Sequence, residues 1–302
     1  MSKVRKRVTC GLMGIIMALV CVIGHMPTVT AYAATSIDGG HTTRADAYAW
    51  GSYTDNKSIS VTLPAEEDDV WISFSLSGGE KIYARCSYSS NDEGMYIEMR
   101  NSSNTLLDAE YSPDDVHDLD TIIPFLAVNC DNGTSSSQTY YIHVNRGTAV
   151  GSLYFSITLR DRIKNGRGTF NFSGTASNPG NSSMSLSGVD SSILSLNLTN
   201  NTSIPPEAIV TRVSTSGTQS PSQGNVHHMI WPASQSPIWY TSTVSSASSG
   251  SYTINETDDF QAKQVWQFKY NALATAKSTM KNVKLTIEWI YDIANTDYET
   301  YQ

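Results

Sequence analysis

The sequence predicts an all-β protein in which two β-sandwich domains follow an export signal in tandem. Short runs of alternating apolar and polar residues recur along the chain, and only 16% of the residues are charged. Turns rich in Gly, Asn, Asp and Ser separate these runs, whereas the periodicity of helices is scarce. The roughly 270 residues behind the signal are enough for two domains of ordinary size.

Residues 1–33 have the pattern of a secretory signal peptide. An apolar run over 11–24 leads to the small-x-small site Ala31-Tyr32-Ala33, so cleavage is expected after Ala33. The basic residues that precede the run are Lys3, Arg5, Lys6 and Arg7.

The apolar run is short for a transmembrane helix. An uncleaved anchor is one alternative, and lipidation of Cys21 is another, although Val20 is larger than the residue that lipidation signals place there. We expect a secreted, extracellular protein that has no membrane-inserted segment once the signal is removed.

The charge of the mature chain limits its partners. Loss of the four basic signal residues changes the formal net charge from −8 to −12, since 1–33 contain no acid. A chain this acidic repels nucleic acid and anionic membranes, and we predict neither as a partner. It is compatible with divalent cations and an extracellular setting.

Two of the four cysteines, Cys10 and Cys21, belong to the signal peptide. The remaining pair, Cys86 and Cys130, predicts one disulfide in an exported protein. The alternative is two separate buried thiols.

The first predicted domain covers residues 35–162. Its strongest alternation is at 153–159, where Leu153, Phe155 and Ile157 oppose Tyr154 and Ser156. The predicted strands are 58–63, 69–76, 81–88, 95–100, 121–128, 139–144 and 153–159.

The charged, Gly-containing stretch 163–168 is predicted to be a linker, and the second domain covers 169–302. The strand 283–291 is the clearest in the chain, because Val283, Leu285 and Ile287 alternate with polar residues. The predicted strands are 169–174, 192–199, 208–216, 227–232, 238–244, 251–254, 264–270 and 283–291.

The first domain resembles the bacterial pre-peptidase C-terminal domains over residues 45–160. The similarity is carried by an acidic pair before the aromatic strand 68–76, by the turn Gly79-Glu80-Lys81-Ile82 and by the strand 139–144. Gln138-Thr139 departs from the Gly that the family has before its Tyr-Tyr pair. The resemblance implies a jelly-roll-like sandwich without catalytic function, in a family whose members are appended to secreted enzymes and in some cases bind matrix polymers or calcium. The second domain resembles no family known to us.

An acidic stretch over 107–120 is a candidate calcium site. Calcium prefers several oxygen ligands from a flexible loop, although the spacing here is not that of an EF-hand. The alternative is a solvated acidic loop. The candidate ligands are Asp108, Glu110, Asp114, Asp115, Asp118 and Asp120.

Aromatic residues near two prolines form a candidate binding site in the second domain. Trp231, Trp239 and Tyr240 lie beside Pro232 and Pro237, which confine strands to edges or rims. Exposed rings on a rim stack on carbohydrate or protein ligands. The alternative is ordinary core packing.

Two further clusters favour structural roles. Asp68 and Asp69 follow two other acids and read as a solvated turn before a strand. His227 and His228 are adjacent on a strand and therefore point to opposite faces, one to the core and one to solvent, so they do not converge on a metal.

The leading functional hypothesis is a secreted, non-catalytic extracellular module that binds a polymer, either a glycan or a matrix protein, or a protein partner. A secreted hydrolase with a site in the second domain is one alternative, although the chain contains no G-x-S-x-G nucleophile elbow. A structural, envelope-associated protein is the other. Calcium is the one cofactor that the sequence suggests.

Overall fold

The first sandwich contains ten strands, and the fold class predicted from the sequence is confirmed. The structure is a computed structural model that describes residues 35–118, 123–254 and 256–301. The predicted signal peptide, 1–33, and Asp120 lie outside these ranges. The strands of the first sandwich are β1 (Thr35–Asp38), β2 (Tyr48–Ser52), β3 (Lys57–Leu63), β4 (Asp69–Leu76), β5 (Lys81–Ser87), β6 (Tyr96–Asn101), β7 (Leu106–Tyr111), β8 (Phe125–Asp131), β9 (Gln138–Asn145) and β10 (Leu153–Asp161).

These strands form two five-stranded sheets. Sheet 1 has the order β1-β3-β10-β5-β8, and sheet 2 has the order β2-β4-β9-β6-β7. Strand β4 shows why the sequence folds in this way, because Val70, Ile72 and Phe74 are buried while Asp69 and Trp71 point out of sheet 2. One face of each sheet therefore builds the core, and the other face is available for contacts.

The second sandwich is also built from two sheets. Its strands are β11 (Ile163–Asn171), β12 (Ala176–Asn178), β13 (Val189–Asp190), β14 (Leu194–Asn197), β15 (Ile209–Ser220), β16 (Val226–Pro232), β17 (Tyr240–Thr241), β18 (Val244–Ser245), β19 (Ser249–Ser251), β20 (Val265–Ala272) and β21 (Ser278–Asp292). Sheet 3 has the order β11-β21-β15-β19-β18, with β12 also paired to β21. Sheet 4 has the order β13-β20-β16-β17, with β14 also paired to β20.

Large apolar side chains from β20 and β21 fill the second core. Trp266, Phe268 and Tyr270 of β20 are fully buried, and the predicted alternation of β21 is confirmed at Leu285 and Ile287. Helical structure is limited in the described residues to four short 3₁₀ turns, which are Arg44–Asp46, Ser90–Asp92, Glu256–Asp258 and Ile293–Thr296. None of the helices in these ranges has the length and hydropathy to cross a bilayer.

The predicted disulfide between Cys86 and Cys130 is wrong, because both are free, buried thiols. They lie on the neighbouring strands β5 and β8, but Cys86 is opposite Leu126 and Cys130 is opposite Ile82. Four residues of strand separate them by about 13 Å, whereas a disulfide requires Cα atoms within about 7 Å. Burial raises the pKa of both thiols.

The predicted linker is also wrong, because 163–168 belong to strand β11. This strand pairs along its whole length with β21, and Gly166 lies opposite Trp289. A Cβ on Gly166 would overlap the indole of Trp289, so glycine is required here for packing and not for flexibility. Arg167, between the two glycines, is exposed and lies opposite Glu288 on the outer face of sheet 3, which explains why the stretch reads as a loop.

Arg162 alone separates the last strand of the first sandwich from the first strand of the second. Its side chain is buried and donates from Nη2 to Asp131 and from Nε to Asp292, both at 2.8 Å. An arginine held by a carboxylate from each sandwich makes this junction a fixed point.

The outer face of sheet 1 is covered by the second sandwich. Tyr83, Phe125 and Ala127 belong to the apolar core of the second sandwich, although they lie on β5 and β8. Tyr298 packs on Tyr83 with ring centroids 4.9 Å apart, and its hydroxyl accepts a hydrogen bond from Asn129. The outer face of sheet 2 has no such cover among the described residues, and neither has the outer face of sheet 4.

Candidate functional site

Two tryptophans meet on the outer face of sheet 4. Trp231 is near the end of β16 and points outward, because its neighbours Ile230 and Pro232 are buried. The chain then turns back, and the backbone carbonyl of Ser236 accepts a hydrogen bond from the Trp231 indole. This turn brings Trp239 to Trp231, with ring centroids 5.6 Å apart and planes at 50°. Both rings are half-buried, so each retains exposed surface.

A lysine from the neighbouring strand completes this pair. Lys269 of β20 places Nζ 4.5 Å from the centre of the Trp239 ring, within the range of a cation–π interaction. The same Nζ is 2.5 Å from Asp190. Burial opposes ionisation of Asp190, but the hydrogen bonds from Lys269 and Asn271 and the charge of Lys269 together outweigh it and lower the pKa of the carboxyl group. The side chains of Trp231, Trp239, Lys269 and Asp190 are called the tryptophan face below.

Polar side chains extend the tryptophan face across the sheet. In register with Trp231 lie Gln267 of β20 and then Ser195 of β14. Asn271 of β20 donates to Asp190 at 2.8 Å. Indole rings next to amides, hydroxyls and an ion pair offer both an apolar stacking surface and hydrogen-bonding groups at its edge.

Tyr240, the third residue of the predicted aromatic site, does not join the tryptophan pair. Tyr240 is on β17, opposite the buried Ile230 of β16. Its ring packs edge-to-face on Phe260, with ring centroids 5.5 Å apart. Its ring therefore supports the core behind the face.

The acidic stretch is partly a strand. Asp108 and Glu110 are on β7, and their carboxylates accept hydrogen bonds from the backbone amides of Asn129 and Ala127 on β8. Strand β8 is at the edge of sheet 1, so these carboxylates satisfy donors that would otherwise lack a partner. The two residues thereby close the edge between sheets 1 and 2.

The other candidate calcium ligands are spread along the following turn. Asp115 accepts from the backbone amide of Tyr111 at 2.8 Å, while Asp114 and Asp118 are exposed. In the ranges that the structure describes, no three acidic, histidine or cysteine side chains converge as a metal-ligand group. Calcium binding stays a prediction, because Asp120 lies outside these ranges.

His117 joins the acidic stretch to the second sandwich. Its Nε2 donates to Glu110 at 3.0 Å, and its Nδ1 donates to Asp297 at 2.9 Å. Burial by itself lowers the pKa of His117, but the bonds and charges of Glu110 and Asp297 outweigh it and raise the pKa above its ordinary value. Burial is the main cause that raises the pKa of Glu110.

The outer face of sheet 2 carries a second aromatic cluster. Trp71 of β4 stacks on His143 of β9, with ring centroids 4.1 Å apart and planes at 13°. Tyr96 of β6 meets His143 edge-on, and Tyr111 of β7 packs on Tyr96 at 5.1 Å. Cross-strand register places these side chains in adjacent rows.

Carboxylates hold His143 in place. Its Nδ1 lies 2.8 Å from Glu98 and its Nε2 lies 2.7 Å from Asp69, and Glu98 also accepts from Arg100. His143 and Glu98 are 8% and 7% exposed, so this is a buried ionic network beneath exposed rings. Burial opposes ionisation of Glu98, but the hydrogen bonds from Arg100 and His143 lower its pKa. The side chains of Asp69, Trp71, Tyr96, Glu98, Arg100, Tyr111, Tyr141 and His143 are called the histidine face below.

Sequence comparison connects the chain to a relative that covers most of its length. The uncharacterized protein YbdN of Bacillus subtilis (strain 168) is 43% identical over 242 residues, which are 80% of this chain and 83% of YbdN. The chain belongs to the YbdN family. No protein-family model matches it.

Solved structures show only distant similarity to the chain described here. The match to a protein of Eubacterium rectale that is predicted to be secreted covers 77% of this chain and 74% of the E. rectale chain, with 11% identity and a TM-score of 0.35. The pre-peptidase C-terminal domain of a Bacillus anthracis collagenase covers 38% of the chain and 94% of its own, with 15% identity and a TM-score of 0.26. At these scores neither similarity assigns a fold family.

The prediction that one residue of the His227–His228 pair is buried and the other exposed is confirmed. His227 is exposed, whereas His228 is 0% exposed and bonds through Nδ1 to Thr215 at 2.9 Å. Burial lowers the pKa of His228 to about 4. A neutral imidazole inside a closed core is part of the packing.

The sequence prediction missed the histidine face altogether. Its ionic network joins Asp69, Glu98 and His143, which are far apart in sequence and come together only through strand pairing. The available signal was alternation, since Trp71 is outward on β4 and Tyr141 and His143 are on one side of β9. Knowing that β4, β9 and β6 are neighbours would have been necessary to use it.

Proposed function

We propose that this YbdN-family protein is an exported, non-catalytic binding protein and that the tryptophan face binds a neutral glycan. The observation that carries the proposal is the pair of half-buried indoles, 5.6 Å apart, with Lys269 over one of them. Export is supported by the signal-peptide pattern of residues 1–33.

The geometry of the tryptophan face suits a sugar ring. The C–H face of a sugar is apolar and stacks on an aromatic ring, while its hydroxyls require donors and acceptors around that ring. Trp239 provides the stacking surface, and Lys269 fixes its orientation from one side. Gln267, Ser195 and Asn271 lie within the neighbouring strands to provide hydrogen bonds.

The face is also held in place before a ligand arrives. The Trp231 indole is fixed by its bond to Ser236, and Lys269 is fixed by Asp190. Little side-chain entropy is then lost on binding, which favours affinity for a ligand that contacts only a small area.

Co-sedimentation with insoluble neutral polysaccharides such as cellulose, chitin and β-glucan tests the proposal. We expect the protein to be retained by at least one of them, and we expect Trp239→Ala to weaken retention by about tenfold because it removes the stacking ring. Tyr154→Ala is the matched control, since Tyr154 is an exposed aromatic residue of the first sandwich, 70% accessible.

The alternative role of these rings is packing. If Trp239→Ala lowers the melting temperature while retention stays unchanged, or if no neutral polysaccharide retains the protein, the proposed function is wrong. An equal loss in Tyr154→Ala would also contradict it, because retention would then depend on general surface aromaticity.

A further inference from the structure

One end of the histidine face brings two arginines to one aromatic ring. Tyr141 of β9 lies directly opposite Arg100 of β6. Arg44, from the short turn before β2, places its guanidinium carbon 4.5 Å from the centre of the Tyr141 ring. The Arg44 guanidinium therefore lies over a half-buried tyrosine, and Arg100 is next to that tyrosine on the adjacent strand, on a face that the second sandwich does not cover.

The two arginines differ in how far their charge is compensated. Arg100 donates from Nε to Glu98 at 2.8 Å and from Nη1 to the carbonyl of Asn104. Arg44 donates from Nη2 to the carbonyl of Ser102, and its Nε is buried with no partner. Over the described ranges of the chain, no carboxylate forms an ion pair with Arg44.

The carboxylates of this face are already occupied. Asp69 accepts from His143 and Asn145, both at 2.7 Å, and Glu98 accepts from His143 and Arg100. Their negative charge is directed to groups within the face. Arg44 is thus the cation whose charge remains available beside Tyr141.

We propose that the end of the histidine face formed by Arg44, Arg100 and Tyr141 is a second binding site, for a sugar that carries an anionic group. The sugar ring stacks on Tyr141, and its carboxylate or phosphate group receives hydrogen bonds from the guanidinium donors. A planar guanidinium binds either anion in a bidentate manner, which a lysine cannot do. The shared chemistry is an anionic oxygen group on a sugar or polyol.

The acidic character of the whole chain does not prevent such binding. At physiological ionic strength the charge of a distant side chain is screened over about 8 Å. The local charge near Tyr141 therefore decides the interaction. This local charge comes from Arg44, with Arg100 compensated by Glu98.

Calorimetric titration of the purified protein tests the proposal with three small probes. Tri-galacturonic acid presents carboxylates, glycerol 3-phosphate presents a phosphate, and galactotriose is the neutral counterpart. We expect at least one anionic probe to bind and galactotriose to bind at least tenfold more weakly at this site. The probe that binds identifies carboxylate or phosphate as the source of the charge.

Substitutions separate the site from a general charge effect. Arg44→Gln is expected to weaken binding of the anionic probe by about tenfold. Arg212→Gln, which removes the same charge from an exposed position on β15, is expected to leave it unchanged. Circular dichroism melting of each variant shows that the fold is intact.

Three results would overturn the second site. These are no binding of either anionic probe, unchanged affinity in Arg44→Gln, and equal weakening in Arg212→Gln. The outcome is independent of the tryptophan face, because Trp239→Ala is expected to bind the anionic probe as the unaltered protein does.

Discussion

The two sandwiches bury polar side chains of different kinds. In the first sandwich the buried set includes charged side chains that are paired with an opposite charge, such as Glu98 with Arg100 and Arg146 with Asp68. In the described residues of the second sandwich the buried polar set contains no Asp, Glu, Lys or Arg. There, Thr215 and Tyr252 form a neutral hydrogen-bonded network around His228. One sandwich is thus organised by ion pairs and the other by neutral hydrogen bonds.

This difference affects what each sandwich tolerates. Removing one partner from a buried ion pair leaves a charge without compensation, which is costly. A neutral network instead suffers when one of its members acquires a charge. Histidine occurs in both sandwiches, so it is the residue that compares them most directly.

The largest effect is expected from acid acting on His228. Its pKa is about 4 in the folded protein, below its ordinary value of 6.5, so the unfolded chain takes up the proton first. Stability from this group is present above pH 6.5 and is lost as pH falls toward 4. Between pH 7 and 4.5 the loss amounts to about 2.5 kcal/mol.

Urea unfolding at both pH values, in the unaltered protein and in His228→Asn, measures this loss. The variant cannot titrate at this position, so its stability is expected to fall by about 2.5 kcal/mol less over the same interval. Equal losses in both proteins would show that His228 does not govern the acid response of the second sandwich.

A somewhat smaller effect is expected from removing His143 in the first sandwich. His143→Ala deprives buried Glu98 of one of its donors and Trp71 of its stacking partner. We expect the free energy of unfolding to fall by about 2 kcal/mol. Chemical denaturation at neutral pH measures it.

His227→Ala is the matched control for the histidine face, because His227 is exposed on the outer face of sheet 4. Its expected effect is below about 0.5 kcal/mol. If both substitutions cost the same, the network around His143 does not stabilise the first sandwich.

Glycine substitutions sharpen the comparison at the start of the second sandwich. Gly166→Ala adds a Cβ that overlaps the Trp289 indole, and we expect a loss of about 1–2 kcal/mol. Gly133→Ala, in a turn of the first sandwich, meets no atom within 4 Å and is expected to be nearly neutral. Thermal melting compares the two variants, and a neutral Gly166→Ala would restore the linker interpretation.

The smallest effect is expected from a reducing agent. Because Cys86 and Cys130 are unpaired in the structure, dithiothreitol should leave the unfolding transition of the first sandwich unchanged. Alkylation of the unfolded protein without reduction, followed by peptide mass spectrometry, should find both residues labelled. A linked peptide containing both cysteines would contradict the observed strand register.

The sequence predicted those strands whose position depends only on the alternation of apolar and polar residues within the strand. Alternation identified β4 and β21, because each has one buried face. The meeting of Trp231 and Trp239 was predictable because a short turn joins them.

Features that depend on strand pairing were not predictable in the same way. The spacing of Cys86 and Cys130 is compatible with a disulfide, yet the register of β5 and β8 sets them four residues apart. The acidic stretch read as a loop because charged residues such as Asp108 and Glu110 are uncommon in strands, although both are on β7. Their carboxylates accept hydrogen bonds from backbone amides at the edge strand β8. Register is a long-range property that a single sequence does not display.

The junction at Arg162 bears on whether the two sandwiches can be separated. Domains that can fold on their own are usually joined by an exposed, flexible linker across which few contacts are made. Here a break beside Arg162 would separate it from Asp131 or Asp292. It would also remove the contact between Tyr298 and Tyr83 and leave an exposed apolar surface on the first sandwich. A truncation or fusion that divides the chain at Arg162 would therefore expose apolar surface on both halves, so the two sandwiches must be kept together.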